Sequence, residues 1–217
     1  MKYSVIIVAA GKGTRTKLDY NKVFYPMNGT TVIQHTVQPF IEDIDCKQII
    51  MVISKQEQSI FTQHLQHQKI QYVEGGTTRQ ESSYNGLQAV TSTYVMIHDG
   101  ARPFITMDQI HALKQALLYD DAALLMVPVI DTIKEVKDGY VVHTPNRSNY
   151  QCAQTPQAFK TELIKLCHEQ AKHNPNLASD DAMLVELYSS ARIKVVEGSY
   201  DNIKVTTSKD LVDLLKK

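Results

Sequence analysis

Apolar positions along this chain recur in two rhythms. Short runs rich in β-branched residues occur at Ser4–Val8, Gln48–Ile53, Ile70–Val73, Tyr94–His98, Ala122–Val129 and Ile193–Glu197. Most are apolar at nearly consecutive positions, which predicts strands covered on both faces. Between them, apolar residues return at helical spacing. Ser54 followed by Glu57 predicts a capping box, opening a helix whose inner face carries Ile60, Phe61 and Leu65. Met107, Ile110, Leu113 and Leu117 mark a second amphipathic helix. Strand–helix–strand alternation of this kind predicts an α/β chain built on a doubly wound, mostly parallel sheet.

The rhythm breaks after Val129. Two strand-like runs, Ile133-Lys134-Glu135-Val136 and Tyr140-Val141-Val142-His143, flank Asp138-Gly139, a strong hairpin signal. A hairpin outside the βα alternation predicts an arm over about 130–150. An arm with little surface of its own chain to lie on is expected to bury itself in a second subunit.

Composition narrows the reading. The chain has 217 residues, 43% of them hydrophobic, which suits one α/β domain with an appendage over 1–217. Lys+Arg and Asp+Glu are both 23, so the basic excess of a nucleic-acid binder is missing. A small anionic ligand needs only a few local cations and stays open. Cys46, Cys152 and Cys167 show no paired spacing and are expected to be reduced thiols at or near the core of a cytoplasmic protein. The first apolar run is too short for a signal segment, and no stretch has the length of a membrane span, so no membrane association is expected.

The first strand ends in Ala9-Ala10-Gly11-Lys12-Gly13-Thr14-Arg15. Small residues there let backbone amides approach a phosphate, and Lys12, Arg15 and Lys22 supply charge suited to a triphosphate. The run is neither a Walker A loop nor G-x-G-x-x-G, because Lys12 precedes Gly13 and Thr16 stands where the last glycine would be. Taken alone, two glycines after a strand also fit a plain tight turn.

Six further blocks make the pattern specific. They are Arg79–Leu87, His98–Phe104, Asp131–Lys134, Gln154–Phe159, Ser179–Ala182 and Asp201–Thr207. With the loop, their order and spacing resemble the 2-C-methyl-D-erythritol 4-phosphate cytidylyltransferase family over nearly the whole chain. The related ribitol-5-phosphate cytidylyltransferases share the Gln-Thr-Pro-Gln and Asn-Ile-Lys blocks and remain the alternative. Ala10, the Gly100-Ala101 pair and Asp180-Asp181-Ala182 fit the erythritol family better. Thr16, Asn21 and Thr77 depart from that family's usual methionine, proline and acidic residue.

The resemblance implies a nucleotide-diphospho-sugar transferase-like, Rossmann-like fold with a projecting β-arm. It implies transfer of CMP from CTP to a sugar-alcohol phosphate, with Mg2+ as cofactor and a homodimer formed through the arm. Arg15, Lys22, Arg147 and Lys204 match the family's catalytic cations. Ala9, Ala10, Gly11, Lys12, Gly13, Gly75, Gly76, Thr77, Ser82 and Asp99 match its CTP-binding positions. Arg102, Thr132, Arg147, Thr155 and Lys204 are expected at the acceptor, and Asp99 and Asp201 are candidate metal ligands. His98 reads as a packed strand-end residue. The rival from another class is a non-catalytic nucleotide-binding protein on the same fold. Joint retention of Arg15, Lys22, Asp99, Arg147 and Lys204 speaks for the enzyme.

Overall fold

The structure, a computed structural model, describes residues 1–11, 18–173 and 178–214. Its elements in chain order are β1 (Tyr3–Val8), β2 (Pro26–Met27), β3 (Thr30–Thr31), α1 (Val32–Glu42), β4 (Cys46–Ile53), α2 (Gln58–His64), β5 (Ile70–Glu74), α3 (Arg79–Gln88), β6 (Tyr94–Asp99) and α4 (Met107–Ala116). They continue with β7 (Ala122–Pro128), β8 (Glu135–Lys137), β9 (Tyr140–His143), β10 (Gln151–Lys160), α5 (Thr161–Ala171), α6 (Asp181–Tyr188), β11 (Ile193–Glu197) and α7 (Ser208–Leu214). Seven strands form one sheet in the order β11-β7-β10-β6-β1-β4-β5. All neighbours are parallel except β10, which runs antiparallel to both β6 and β7.

Alternation along the central strands divides the core into two layers. Val5, Ile7, Ile49, Met51 and Met96 face one side and meet Val37, Phe40, Ile110 and Leu113 of α1 and α4. Ile6, Ile50, Val52, Val95 and Ile97 face the other and meet Leu87, Ile164, Leu184 and Val185 of α3, α5 and α6. Strands buried on both faces can therefore read as unbroken apolar runs.

β10 is the strand that apolar periodicity does not predict. Its middle, Gln154-Thr155-Pro156-Gln157, is polar and contains a proline, and proline cannot donate to a ladder. The structure accommodates it at an irregularity, since the β10–β7 register shifts between Ala153 and Gln157. The expected capping box at Ser54 is also absent. The Ser54 side chain makes no cap bond, and a 3-10 turn (Lys55–Glu57) precedes α2. Glu57 instead accepts a hydrogen bond from Asn21 at 3.1 Å. Of the three cysteines, Cys46 and Cys167 are buried as expected, whereas Cys152 is exposed at the arm end of β10.

The arm projects as predicted. Asp138 and Gly139 have φ of 52° and 85°, the two left-handed positions of a tight hairpin turn between β8 and β9. Every residue of β8 and β9 is exposed.

The helix that carries part of the cleft, α3, lies unusually close to the sheet. A Cβ on Gly86 would come within 2.8 Å of Ile6 Cγ2 and 2.9 Å of Val52 Cγ2. Gly86→Ala gains about 1 kcal/mol in helix propensity but loses about 1–3 kcal/mol to overpacking against two stiff β-branched side chains. The expected outcome is a net loss of about 1 kcal/mol, read as a lower urea midpoint with unchanged m-value.

Candidate active site

A cleft of about 320 Å³ opens at the C-terminal edge of the sheet, where open α/β sheets bind their ligands. The end of β1 supplies Ala9, Ala10 and Gly11. The following turn adds Lys22, the segment after β5 and the start of α3 add Gly76, Thr77, Arg79 and Ser82, and Asp99 and Lys204 complete the lining. Most of the described CTP-binding candidates thus meet in one place, although the sequence spreads them from residue 9 to residue 99, and Lys204 joins them there. Lys12, Gly13 and Arg15 lie outside the described residues.

One wall is made of backbone. A Cβ on Gly75 would fall 2.5 Å from Ala10 Cβ and 3.1 Å from Ser82 Oγ, so glycine is needed for this loop to close on the end of β1. Ser82, buried at the start of α3, donates to Thr78 O at 2.9 Å and accepts from Gly76 N–H at 3.1 Å. Its proton is therefore spent on shaping the loop. Glu81 Oε2 accepts from the Thr77 hydroxyl at 2.6 Å and from the Thr77 and Thr78 amides at 2.7 and 3.4 Å. The Thr77 hydroxyl first, and then these amides, hold the Glu81 carboxyl below the usual range.

The opposite wall is charged. Asp99, 6% exposed, lies 2.8 Å from Lys204 Nζ and 3.5 Å from the Nε atoms of both Arg79 and Arg102. Burial alone would raise its carboxyl. The charges of Lys204, Arg79 and Arg102 outweigh that effect and hold it well below the usual range. Arg79 is gripped from behind by Asp181, at 2.7 Å, which in turn contacts His168 Nε2 at 3.1 Å. Burial acts against the Asp181 carboxylate too, but Arg79 and His168 lower it to about 2. Sequence reasoning quoted Arg79 within a block yet gave it no role. A signal was present, because an arginine in the first turn of a helix opposes the helix dipole and needs a specific anion.

Beneath Asp99 the polar groups form a connected set, in which Asn202 Oδ1 and Arg102 Nε make no hydrogen bond among the described residues. His98 Nε2 lies 3.2 Å from Arg102 O, and a carbonyl can only accept, so Nε2 carries the proton. Burial lowers the His98 pKa to about 4, leaving Nδ1 as an acceptor. The Thr155 hydroxyl, 3.0 Å away, donates to that Nδ1 and accepts from Asp99 N–H at 3.0 Å. Asn202 Nδ2 donates to Thr155 O at 2.9 Å, while Arg102 Nη1 donates to Asn202 O at 2.6 Å. Thr155, buried, and Arg102, partly buried, are expected at the acceptor, yet both contact Asp99 or its backbone and lie outside the lining of the cleft. Asn202 is the support that sequence reasoning did not single out.

The remaining acceptor candidates sit on the arm. Arg147 is exposed and donates to Ile130 O at 2.6 Å, and Thr132 is exposed as well. Neither lines the cleft of its own chain. Among the described residues no three His, Cys, Asp or Glu side chains gather into a metal-binding group. Asp201 is exposed and outside the cleft lining. Mg2+ uses one or two carboxylates and takes its other ligands from phosphate and water, so Asp99 could serve it only by sharing a carboxylate already paired with Lys204, Arg79 and Arg102.

The buried neutral His98 makes stability depend on pH. Its folded pKa of about 4 lies below the ordinary histidine value of 6.5, so the unfolded chain binds the extra proton in that window. Stability therefore falls as pH drops from 6.5 towards 4, by about 2 kcal/mol between pH 7 and pH 5 from this group. Urea unfolding at the two pH values should show that loss, and His98→Gln should remove most of it while lowering stability at pH 7.

The profile of the family described as IspD, 2-C-methyl-D-erythritol 4-phosphate cytidylyltransferase, matches residues 3–214. A protein of that name from Bacillus mycoides is 44% identical over 215 residues, covering 97% of this chain and 95% of the relative. One from Bacillus velezensis is 42% identical over 217 residues, covering 98% and 94%. Among solved structures, 4-diphosphocytidyl-2C-methyl-D-erythritol synthase from Anaerococcus prevotii superposes with a TM-score of 0.88 at 34% identity, covering 98% of this chain and 96% of the other. The Francisella tularensis 2-C-methyl-D-erythritol 4-phosphate cytidylyltransferase gives 0.83 at 31%, covering 98% of each. With the seven-stranded sheet, the backbone-lined loop and the Asp99 cluster all in place, this chain belongs to the 2-C-methyl-D-erythritol 4-phosphate cytidylyltransferase family of nucleotidyltransferases.

Proposed function

We propose that the cleft binds CTP and that the protein transfers CMP from it to 2-C-methyl-D-erythritol 4-phosphate, releasing pyrophosphate. The observation that carries this reading is the meeting of a backbone-lined loop with Lys22 and Lys204 in one cleft at the sheet edge. In the transfer an acceptor phosphate oxygen bonds to the α-phosphorus of CTP. The bond from that phosphorus to the bridging oxygen breaks, and its electron pair leaves with pyrophosphate. The acceptor oxygen is already ionised near neutral pH, since a phosphate's second pKa is about 6. No general base is needed, and catalysis rests on holding two polyanions in line and stabilising charge on the α-phosphoryl oxygens.

Each group then has a task. The backbone of Ala9–Ala10 and of Gly75–Thr77 reads the cytosine edge, with Ser82 holding that loop in shape. Lys22 faces the triphosphate, and the family resemblance gives Arg15 and Lys12 the task of adding charge to it. Lys204 is about one-third exposed and is kept at the cleft by Asp99, from which it can turn to the acceptor phosphate. Asp99 would hold Mg2+ together with the triphosphate oxygens, and the ion would supply further positive charge there. The test is pyrophosphate release with CTP, UTP, ATP or GTP, each with 2-C-methyl-D-erythritol 4-phosphate or ribitol 5-phosphate. Turnover is expected with CTP and the erythritol phosphate, and loss with EDTA. Equal rates with UTP, or full activity in EDTA, would contradict the reading.

We also propose a homodimer through the arm. Val136, Tyr140, Val141 and Val142 are 58%, 80%, 61% and 56% exposed in the single chain. A two-stranded hairpin is marginal in water and needs an apolar surface to lie on. A second subunit supplies it, and Arg147 and Thr132 then serve the neighbouring acceptor site. Complementation tests this arrangement. Lys22→Ala and Arg147→Ala, each expected to lower kcat by roughly 10² or more, are mixed under subunit exchange. If Arg147 acts across the interface, activity returns to about a quarter of wild type, because half of randomly paired dimers are mixed and each has one intact site. No recovery, or a monomer by sedimentation at assay concentration, would contradict the arrangement.

A further inference from the structure

The turn that delivers Lys22 is fastened by one buried amide. Asn21 is 4% exposed, and its Nδ2 donates to Ala9 O at 3.1 Å and to Glu57 Oε2 at 3.1 Å. Its Oδ1 accepts from Val23 N–H at 3.3 Å, capping the 3-10 turn Lys22–Phe24. Three places far apart in sequence thus meet on one side chain: the end of β1, the Lys22 turn and the turn after β4. The chain leaves β1 at Ala9 and returns at Asn21, so the amide ties the neck of the glycine-bearing segment between them. On the other side of Lys22, Val23 and Phe24 are buried, and the Phe24 ring lies 4.6 Å from Phe61 and 5.3 Å from His64. The Lys22 backbone is held between two fixed points while its side chain lines the cleft.

Polarity decides how that amide sits. An asparagine offers a donor end and an acceptor end of nearly the same shape. Turned over, it would point Oδ1 at a carbonyl and at a carboxylate, leaving three groups without partners. Two backbone groups, Ala9 O and Val23 N–H, favour one orientation, and Glu57, drawn away from the capping role its position suggests, adds the charged acceptor that strengthens it.

We propose that Asn21 and Glu57 are positioning residues for the transfer, with the Glu57 carboxylate orienting the Asn21 amide and the amide placing Lys22 against the triphosphate. Asn21 borders the cleft, but both ends of its amide are engaged within the protein, and Glu57 lies outside the cleft lining. The proposal rests on the reading of Lys22 given above. Displacing a charge by about 1 Å can cost on the order of 10²-fold in rate.

The experiment compares Asn21→Asp, Glu57→Gln, the double variant and Lys22→Ala, measuring kcat, KM for CTP and the urea midpoint. Asn21→Asp keeps the shape but sets an acceptor against Ala9 O and Glu57. It should lower kcat by roughly 10–100-fold in folded protein. Glu57→Gln reverses the other side of the contact, so the double variant should regain roughly tenfold over Asn21→Asp alone. A residue that only stabilises the fold would move the midpoint and leave the kcat of folded protein unchanged. If Asn21→Asp does not fold, Glu57→Ala at the half-buried partner carries the test, with a drop of roughly threefold or more expected. Near wild-type kcat in whichever of these two variants is folded, beside an impaired Lys22→Ala, overturns the proposal and leaves Lys22 in its role. Additive losses in the double variant overturn the pairing. Wild-type kcat in Lys22→Ala defeats the Lys22 reading and the proposal with it.

Discussion

An ionised carboxylate enclosed by protein survives only if charge replaces the water it has lost. At Asp99 that replacement comes from Lys204, Arg79 and Arg102, three cations drawn from the last ordered loop, the start of α3 and the turn after β6. Each cation is constrained in its turn. Arg79 answers to Asp181, Arg102 to the Asn202 carbonyl, and the Asp99 backbone to Thr155 and His98. A single acidic residue thereby fixes the relative positions of four elements. The cleft owes its charged wall to that constraint. Truncating one partner would leave a buried charge uncompensated, which is more damaging than losing the attraction itself.

The two walls divide the work by physical type. The wall built from Gly75, Gly76 and the end of β1 has side chains small enough for its backbone to be the reading surface. Its shape is held by Ser82 and Glu81, whose own polar atoms are turned inward to the loop. The wall built on Asp99 contributes charge. α3 belongs to both, carrying Arg79 and Ser82 within its first turns on the cleft side, and it can do so because Gly86 seats it directly on β1 and β4. The backbone-lined wall and the charged wall are therefore mechanically joined.

Much of this was legible in the sequence, for reasons that differ element by element. β1, β4, β6 and β7 show as apolar runs because both faces are covered. The edge strands β5 and β11 show by their β-branched residues although they are only half buried, and the arm shows because Asp138-Gly139 announces its own turn. Ala9, Ala10, Lys22, Asp99 and Lys204 were found through ordered motif blocks. β10 stayed hidden because its contacts are polar and its proline contradicts strand propensity. Glu57 misled because a capping pattern is local, whereas Asn21 competes for it from 36 positions away. Arg102 and Thr155 carry the right chemistry for an anionic acceptor, yet spacing cannot say which side of Asp99 a residue occupies. Cys152 is exposed because its end of β10 leads into the arm.

The insertion of β10 between β6 and β7 has a consequence for a chain still being made. β1, β4, β5 and β6 all lie within the first 99 residues and can line up in order as they emerge. The hydroxyl that steadies Asp99 arrives only with residue 155, and the ammonium beside it only with residue 204. The backbone-lined wall is thus synthesised well before its charged counterpart is complete. A growing polypeptide, or one cut short before the Asn-Ile-Lys block, has the backbone-lined loop without the ammonium that pairs with Asp99.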